Sequence, residues 1–191
     1  IDLDLAKFFD TVNHSKLLQV LSETIKDGRV ISLIHKFLRA KIMDEGKVTT
    51  PTIGTPQGGP VSPVLANILL NELDKELDKR GHHFVRYADD MMIMCKSQRA
   101  AQRTYESISK FIEKKLFLNI NRDKTKVCHL SDDVKFLGYT FIKRQLKGDD
   151  TTEWHASVHR KSLAKLKAKV KALTDRRCPK GMDTTKSELN T

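Results

Sequence analysis

The chain has 191 residues, 39% of them hydrophobic, enough for a domain of ordinary size with a core of its own. Its 35 Lys and Arg outnumber 24 Asp and Glu, and the net charge of +11 points to a polyanionic partner, nucleic acid before membrane. No stretch approaches the roughly 20 apolar residues of a membrane span. Cys95, Cys128 and Cys178 are widely spaced and outside any CxxC pattern, which excludes a disulfide frame or zinc site and suggests reduced thiols in a cytoplasmic protein.

The opening "IDLDL" alternates apolar and acidic residues, a strand pattern that puts Asp2 and Asp4 on one face and is expected to run on into "KFFD". With neither an initiator Met nor a signal peptide before it, the chain reads as a fragment of something longer. Leu17, Leu18, Leu21 and Ile25 predict a helix over Ser15–Lys26, stopped by Asp27 and Gly28. A second helix is expected over Val30–Ala40, with Ile31, Ile34, Phe37 and Leu38 inward. "EGKVTTPTIGTPQGGP" reads as a turn, a short strand and an exposed loop. A long helix over Ser62–Lys79 follows, capped by Ser62, with Leu65, Ile68, Leu69, Leu73 and Leu77 buried and Gly81 closing it.

"HFVRYADDMMIMC" has two short apolar strands around a polar centre, a hairpin pattern. Gln98–Lys115 predicts a helix with Tyr105, Ile108, Ile112 and Leu116 inward. "KVCHL" and "VKFLGYTFI", separated by "SDD", predict a second hairpin, and "TTEWHASV" an edge strand. The segment His159–Arg177 is a basic amphipathic helix, with Leu163, Leu166, Val170 and Leu173 opposite its lysines. The last dozen residues lack periodicity and are expected to be disordered. The order implies an α+β domain, an antiparallel sheet with helices packed on one face, plus the basic helix as a separate element.

Asp89 and Asp90 are adjacent like charges, each raising the cost of ionising the other. Neighbours in a flat strand point to opposite faces, so the two can serve one site only at a turn. A surface turn explains them without function; a second acid-bearing strand alongside would bring Asp4 to Asp89. Three carboxylates without His or Cys make an all-oxygen site suited to Mg²⁺. Two such ions can activate a 3′ hydroxyl and stabilise a leaving pyrophosphate. In "TPQGGPVSP", paired glycines admit close approach of a ligand and Gln57 offers a donor and an acceptor, although alone the loop reads as a lead into the helix.

Together these stretches resemble a reverse transcriptase, in particular the enzyme encoded by bacterial group II introns. "DLAKFFD", "TPQGGPVSPVLANILLNELD", "FVRYADDMMIMCKS", "LNINRDKTKVCHL" and "VKFLGYTF" follow the family's palm motifs in order, as far as residue 145. The resemblance implies an RNA-directed DNA polymerase using two Mg²⁺ ions, with Mn²⁺ as a substitute. RNA template, DNA primer, deoxynucleoside triphosphates and intron RNA would be its partners, with no membrane. Asp4, Asp89 and Asp90 would be catalytic metal ligands, joined by the Leu5 carbonyl. Phe9 would lie under the nucleotide sugar, Gln57 would touch the incoming nucleotide with Gly58 close to the template or sugar, and Lys124 would assist the pyrophosphate. Tyr139, in "FLGY", would grip the primer, and Lys161, Lys165 and Lys169 would contact an RNA–DNA duplex.

The resemblance also implies a palm over 1–145, an edge strand and the start of a thumb helix over 146–177, and a polar tail over 178–191. The fingers and the full thumb and maturase domains of the family are expected to lie outside this chain. Ala6 departs from the residue types usual there, and Asp2, on Asp4's face, is assigned a structural or electrostatic role. Two alternatives remain: an RNA-binding splicing factor without polymerase activity, and the reverse transcriptase of a retron or diversity-generating element.

Overall fold

The computed structural model describes every residue except 45–46, 57, 133, 146–151, 175–183, 185 and 188–191. The chain divides into two compact units, Ile1–Cys128 and His129–Thr191.

In the first unit, "IDLDL" does form a strand, but a short one. β1 (Asp2–Leu3) pairs antiparallel with Asp90–Met94, which pairs in turn with His83–Tyr87, so that the first strand and the hairpin form one three-stranded sheet. The expected continuation into "KFFD" fails. Lys7 takes a left-handed conformation (φ 46°) and Phe8–Thr11 coils into one helical turn, α1. A continued strand would send Phe8 and Phe9 to opposite faces. The helical turn instead buries Phe8 in the core and leaves Phe9 half-buried against it.

α2 (His14–Thr24) starts behind Asn13, whose side chain accepts the Lys16 N–H at 2.9 Å. Asp27 serves the following helix: its carboxylate accepts the Arg29 N–H at 2.8 Å and caps α3 (Gly28–Leu38). A small hairpin, β2 (Ile42–Asp44) and β3 (Lys47–Thr49), precedes the Gly-rich loop. α4 (Ser62–Lys79) begins where the leucine spacing predicts, but Ser62 is not its cap. Val61 holds that position and the Ser62 hydroxyl donates back to the Pro56 carbonyl at 2.6 Å. Gly81 closes α4 at φ 69°, with the Gly81 and His82 N–H groups donating to Asp78 and Leu77 carbonyls.

Leu65, Leu69, Leu70, Leu73 and Leu77 of α4 form the centre of the core. Leu3, Met91 and Ile93 join them from the sheet, with α4 lying against β4 (His83–Tyr87), the partner of β5 (Asp90–Met94). α5 (Gln98–Phe111), capped by Ser97, widens into a π-helical turn over Ile112–Leu116 that ends at left-handed Phe117. Ile108, Ile112, Leu116 and Leu118 are buried there.

The second expected hairpin does not form as read. Lys126 exchanges backbone hydrogen bonds with Asp2, both 2.8 Å, on the side of β1 away from β5. In the second unit, "VKF" contributes a single bridge. Phe136 and Tyr139 exchange two 2.9 Å bonds across Leu137 (φ 50°) and Gly138 (φ 88°), so the chain reverses at once. β6 (Tyr139–Gln145) therefore takes β7 (Thr152–Val158), the expected edge strand, as its partner.

The Gly138 carbonyl accepts the His159 N–H at 2.9 Å, joining the turn to α6 (Arg160–Leu173). Leu163, Leu166 and Val170 of α6 are exposed. The last part of the expected helix, 175–177, is outside the described residues, as is the polar tail apart from Thr184, Lys186 and Ser187. Among the described residues, no helix is long and apolar enough to cross a membrane.

Candidate active site

The β4–β5 hairpin turns at Ala88 and Asp89, with Tyr87 paired to Asp90. One acid thus lies in the turn and its neighbour begins a strand. Leu3 pairs with Met91, and Asp4 and Asp90 are the next residues along from that pair in the same register. Residues directly opposite across an antiparallel pair share a face. Asp4 and Asp90 therefore lie on the face opposite buried Leu3 and Met91.

Asp2 is on that face as well. Burial, then the nearby Asp90 and Asp4 charges, push its carboxyl above the usual aspartate range, while the chain's amino terminus and Lys126 pull the other way. Lys124 Nζ stands 3.9 Å from Asp4 Oδ2, an exposed pairing whose worth to stability is small.

The backbone under Asp4 is held from a distant segment. Its N–H donates to Thr125 Oγ1 at 3.1 Å, and its carbonyl accepts the Asn121 N–H at 2.9 Å. Leu5 bridges to Ile120 with its side chain buried. No sequence signal singles out Thr125, because its role arises only when the two segments meet.

The Gly-rich loop is seated on α1 and α2. Thr55 N–H donates to the Phe9 carbonyl at 2.6 Å and Gly54 N–H to the Val12 carbonyl at 2.8 Å. Buried His14 holds the Gly54 carbonyl through Nε2 at 2.6 Å. His14 and Gly54 were both invisible to motif reading. Phe9 packs its ring 5.2 Å from that of Phe8. Gly58 lies at φ 80° with open space where a Cβ would stand. Gln57 is outside the described residues.

The structure thus gathers Asp4, Asp90 and Lys124, with Asp89 next in the turn, and ties Phe9 to the start of the loop. Tyr139, Lys161, Lys165 and Lys169 belong to the second unit, where all four are exposed. Among the described residues no three or more His, Cys, Asp or Glu side chains are grouped so as to hold a metal ion between them. Mg²⁺ does not require one, since it binds through one or two carboxylates and completes its shell with water and phosphates. Oxygen-only donors and the like-charge crowding felt by Asp2 suit a divalent cation. The oxygen donors of Asp4 and Asp90 are of the kind a divalent cation takes.

A family model described as reverse transcriptase (RNA-dependent DNA polymerase) matches residues 1–141. Protein YkfC of Escherichia coli (strain K12) is 31% identical over 179 residues, covering 76% of this chain and 47% of YkfC. The putative COX1/OXI3 intron 2 protein of Saccharomyces cerevisiae is 31% identical over 197 residues, 73% of this chain and 23% of that protein. The group II intron-encoded protein LtrA of Lactococcus lactis subsp. cremoris is 28% identical over 209 residues, 76% of this chain and 35% of LtrA. The chain spans less than half the length of each of these relatives.

Proposed function

The chain belongs to the reverse transcriptase (RNA-dependent DNA polymerase) family, and from that premise we propose that it is the polymerase palm of a group II intron maturase. One observation carries this reading: Asp4 and Asp90 share a sheet face, beside the turn acid Asp89 and with the Lys124 ammonium 3.9 Å from Asp4. The substrates would be an RNA template, a DNA primer and deoxynucleoside triphosphates, with intron RNA as the splicing partner. Asp4, Asp89, Asp90 and the Leu5 carbonyl would hold two Mg²⁺ ions. When bound, the ions supply charge stabilisation for the attacking 3′ hydroxyl and the leaving pyrophosphate.

The chain's own residues do the positioning. The Phe9 ring, anchored beside Phe8, lies under the sugar and excludes a 2′ hydroxyl. Gln57 would touch the incoming nucleotide, and the open space at Gly58 lets the backbone come close to the template or sugar. Lys124 offers its ammonium to the pyrophosphate. Tyr139 grips the primer strand. Lys161, Lys165 and Lys169 recur every fourth residue along exposed α6 and meet duplex phosphates there.

The test is primer extension on an RNA template by the full-length protein. Asp89→Asn should reduce Mg²⁺-dependent extension to background while leaving the circular dichroism spectrum unchanged. Retained extension would sink the assignment. Template–primer binding by the wild type without any extension would favour an RNA-binding splicing factor instead.

A further inference from the structure

Arg86 precedes Tyr87 in the hairpin, and its guanidinium serves two elements at once. Nε donates to Asp74 Oδ1 at 2.8 Å and Nη2 donates to Asp74 Oδ2, a two-pronged pair with α4. Nη1 donates to Asn67 Oδ1 at 2.8 Å, also on α4, and to the Ala88 carbonyl oxygen at 2.9 Å. The pair is largely shielded from water, with the Arg86 and Asp74 side chains 13% and 19% exposed.

The Ala88 carbonyl and the Asp89 N–H belong to one planar peptide. Holding that oxygen therefore holds the plane from which the Asp89 side chain departs. Ala88 lies at φ 54°, a region disfavoured for any residue with a Cβ, so this turn needs an external restraint. Arg86 supplies one, and α4, whose leucines fill the core, gives it a rigid base.

We infer that Arg86, anchored on α4 by Asp74 and Asn67, is a positioning residue that aims Asp89 for divalent-cation binding. The inference rests on the polymerase reading for the role of Asp89. Lysine at position 86 would keep the charge opposite Asp74. A single ammonium cannot reproduce the planar fork that holds the carboxylate, Asn67 and the Ala88 carbonyl together.

The experiment compares wild-type and Arg86→Lys full-length protein, using Mn²⁺ as the probe and electron paramagnetic resonance of the free ion to read affinity. Mg²⁺ dependence of primer extension and thermal melting are followed in parallel. Affinity for Mn²⁺ should weaken by about tenfold, within the range seen when partners of metal ligands are changed. The Mg²⁺ needed for half-maximal extension should rise to match, with KM for template–primer unchanged and extension recovered at high Mg²⁺.

Wild-type Mn²⁺ affinity in Arg86→Lys would overturn the inference. So would a loss of activity equal at every Mg²⁺ level and parallel to a fall in melting temperature, which is what a merely structural tether predicts. Should Arg86→Lys not fold, Asn67→Ala removes one anchor and spares the Asp74 pair. It should show a smaller shift in the same direction, and no shift would overturn the inference too. Failure of the polymerase reading is separately visible: the wild type would bind Mn²⁺ and extend no primer, while the affinity comparison still decides what Arg86 does.

Discussion

Gly54 and Gly58 share a left-handed backbone but differ in what surrounds them. A Cβ on Gly54 would stand 2.9 Å from the Asp10 carbonyl oxygen, whereas one on Gly58 would meet nothing within 4 Å. The left-handed conformation alone costs an L-residue about 1–2 kcal/mol. Gly58→Ala should therefore lose about that much stability in urea unfolding, and Gly54→Ala should lose clearly more. Equal losses would mean that the loop slides off α1 at no cost. The paired glycines of "TPQGGP" advertise themselves in the sequence, and Gly54 does not. Its constraint comes from a carbonyl on another element, which no local pattern reports. Arg86 teaches the same lesson, since its fork closes only when the hairpin meets Asn67 and Asp74 on α4.

Helices were legible as elements because their leucine spacing is local, while their ends depended on which neighbour claimed a polar residue. "DG" after α2 reads as a stop, yet Asp27 belongs to α3 as its cap. The Arg29 side chain first, and the Arg29 N–H second, hold the Asp27 carboxyl below its usual value. A depressed carboxyl contributes stability above the unfolded-state value, near 3.8, and that contribution is lost as pH falls through the lower folded-state value. Asp27→Ala should thus melt below the wild type at neutral pH, with the gap narrowing as pH drops below that window. A gap that persists unchanged at the lowest pH would show that the cap acts without its charge. Strand pairing was the less legible part. "VKFLGYTFI" shows a strand, but only the backbone exchange between Phe136 and Tyr139 reveals that its partner follows it in the chain.

At the scale of the whole molecule, the net charge of +11 is the feature with the widest consequence. If α6 meets duplex phosphates, replacing Lys165 and Lys169 together by Gln should flatten the salt dependence of template–primer affinity. The slope of log K against log salt should fall in magnitude by about 1.8, close to 0.9 for each lost contact, without altering sequence preference. An unchanged slope would remove this face of α6 from the interface. The sequence by itself determined the helices α2 to α5, the acidic hairpin, the basic C-terminal helix and the family, because periodicity, turn chemistry and motif order are written in neighbouring residues. Only the tertiary structure decided that β1 lies beside β5, with Asp4 and Asp90 next along from the Leu3–Met91 pair, that Thr125 and Lys124 reach Asp4, and that α4 holds the hairpin turn through Arg86. Those meetings depend on register and on which apolar faces bury together, and both are properties of the assembled chain.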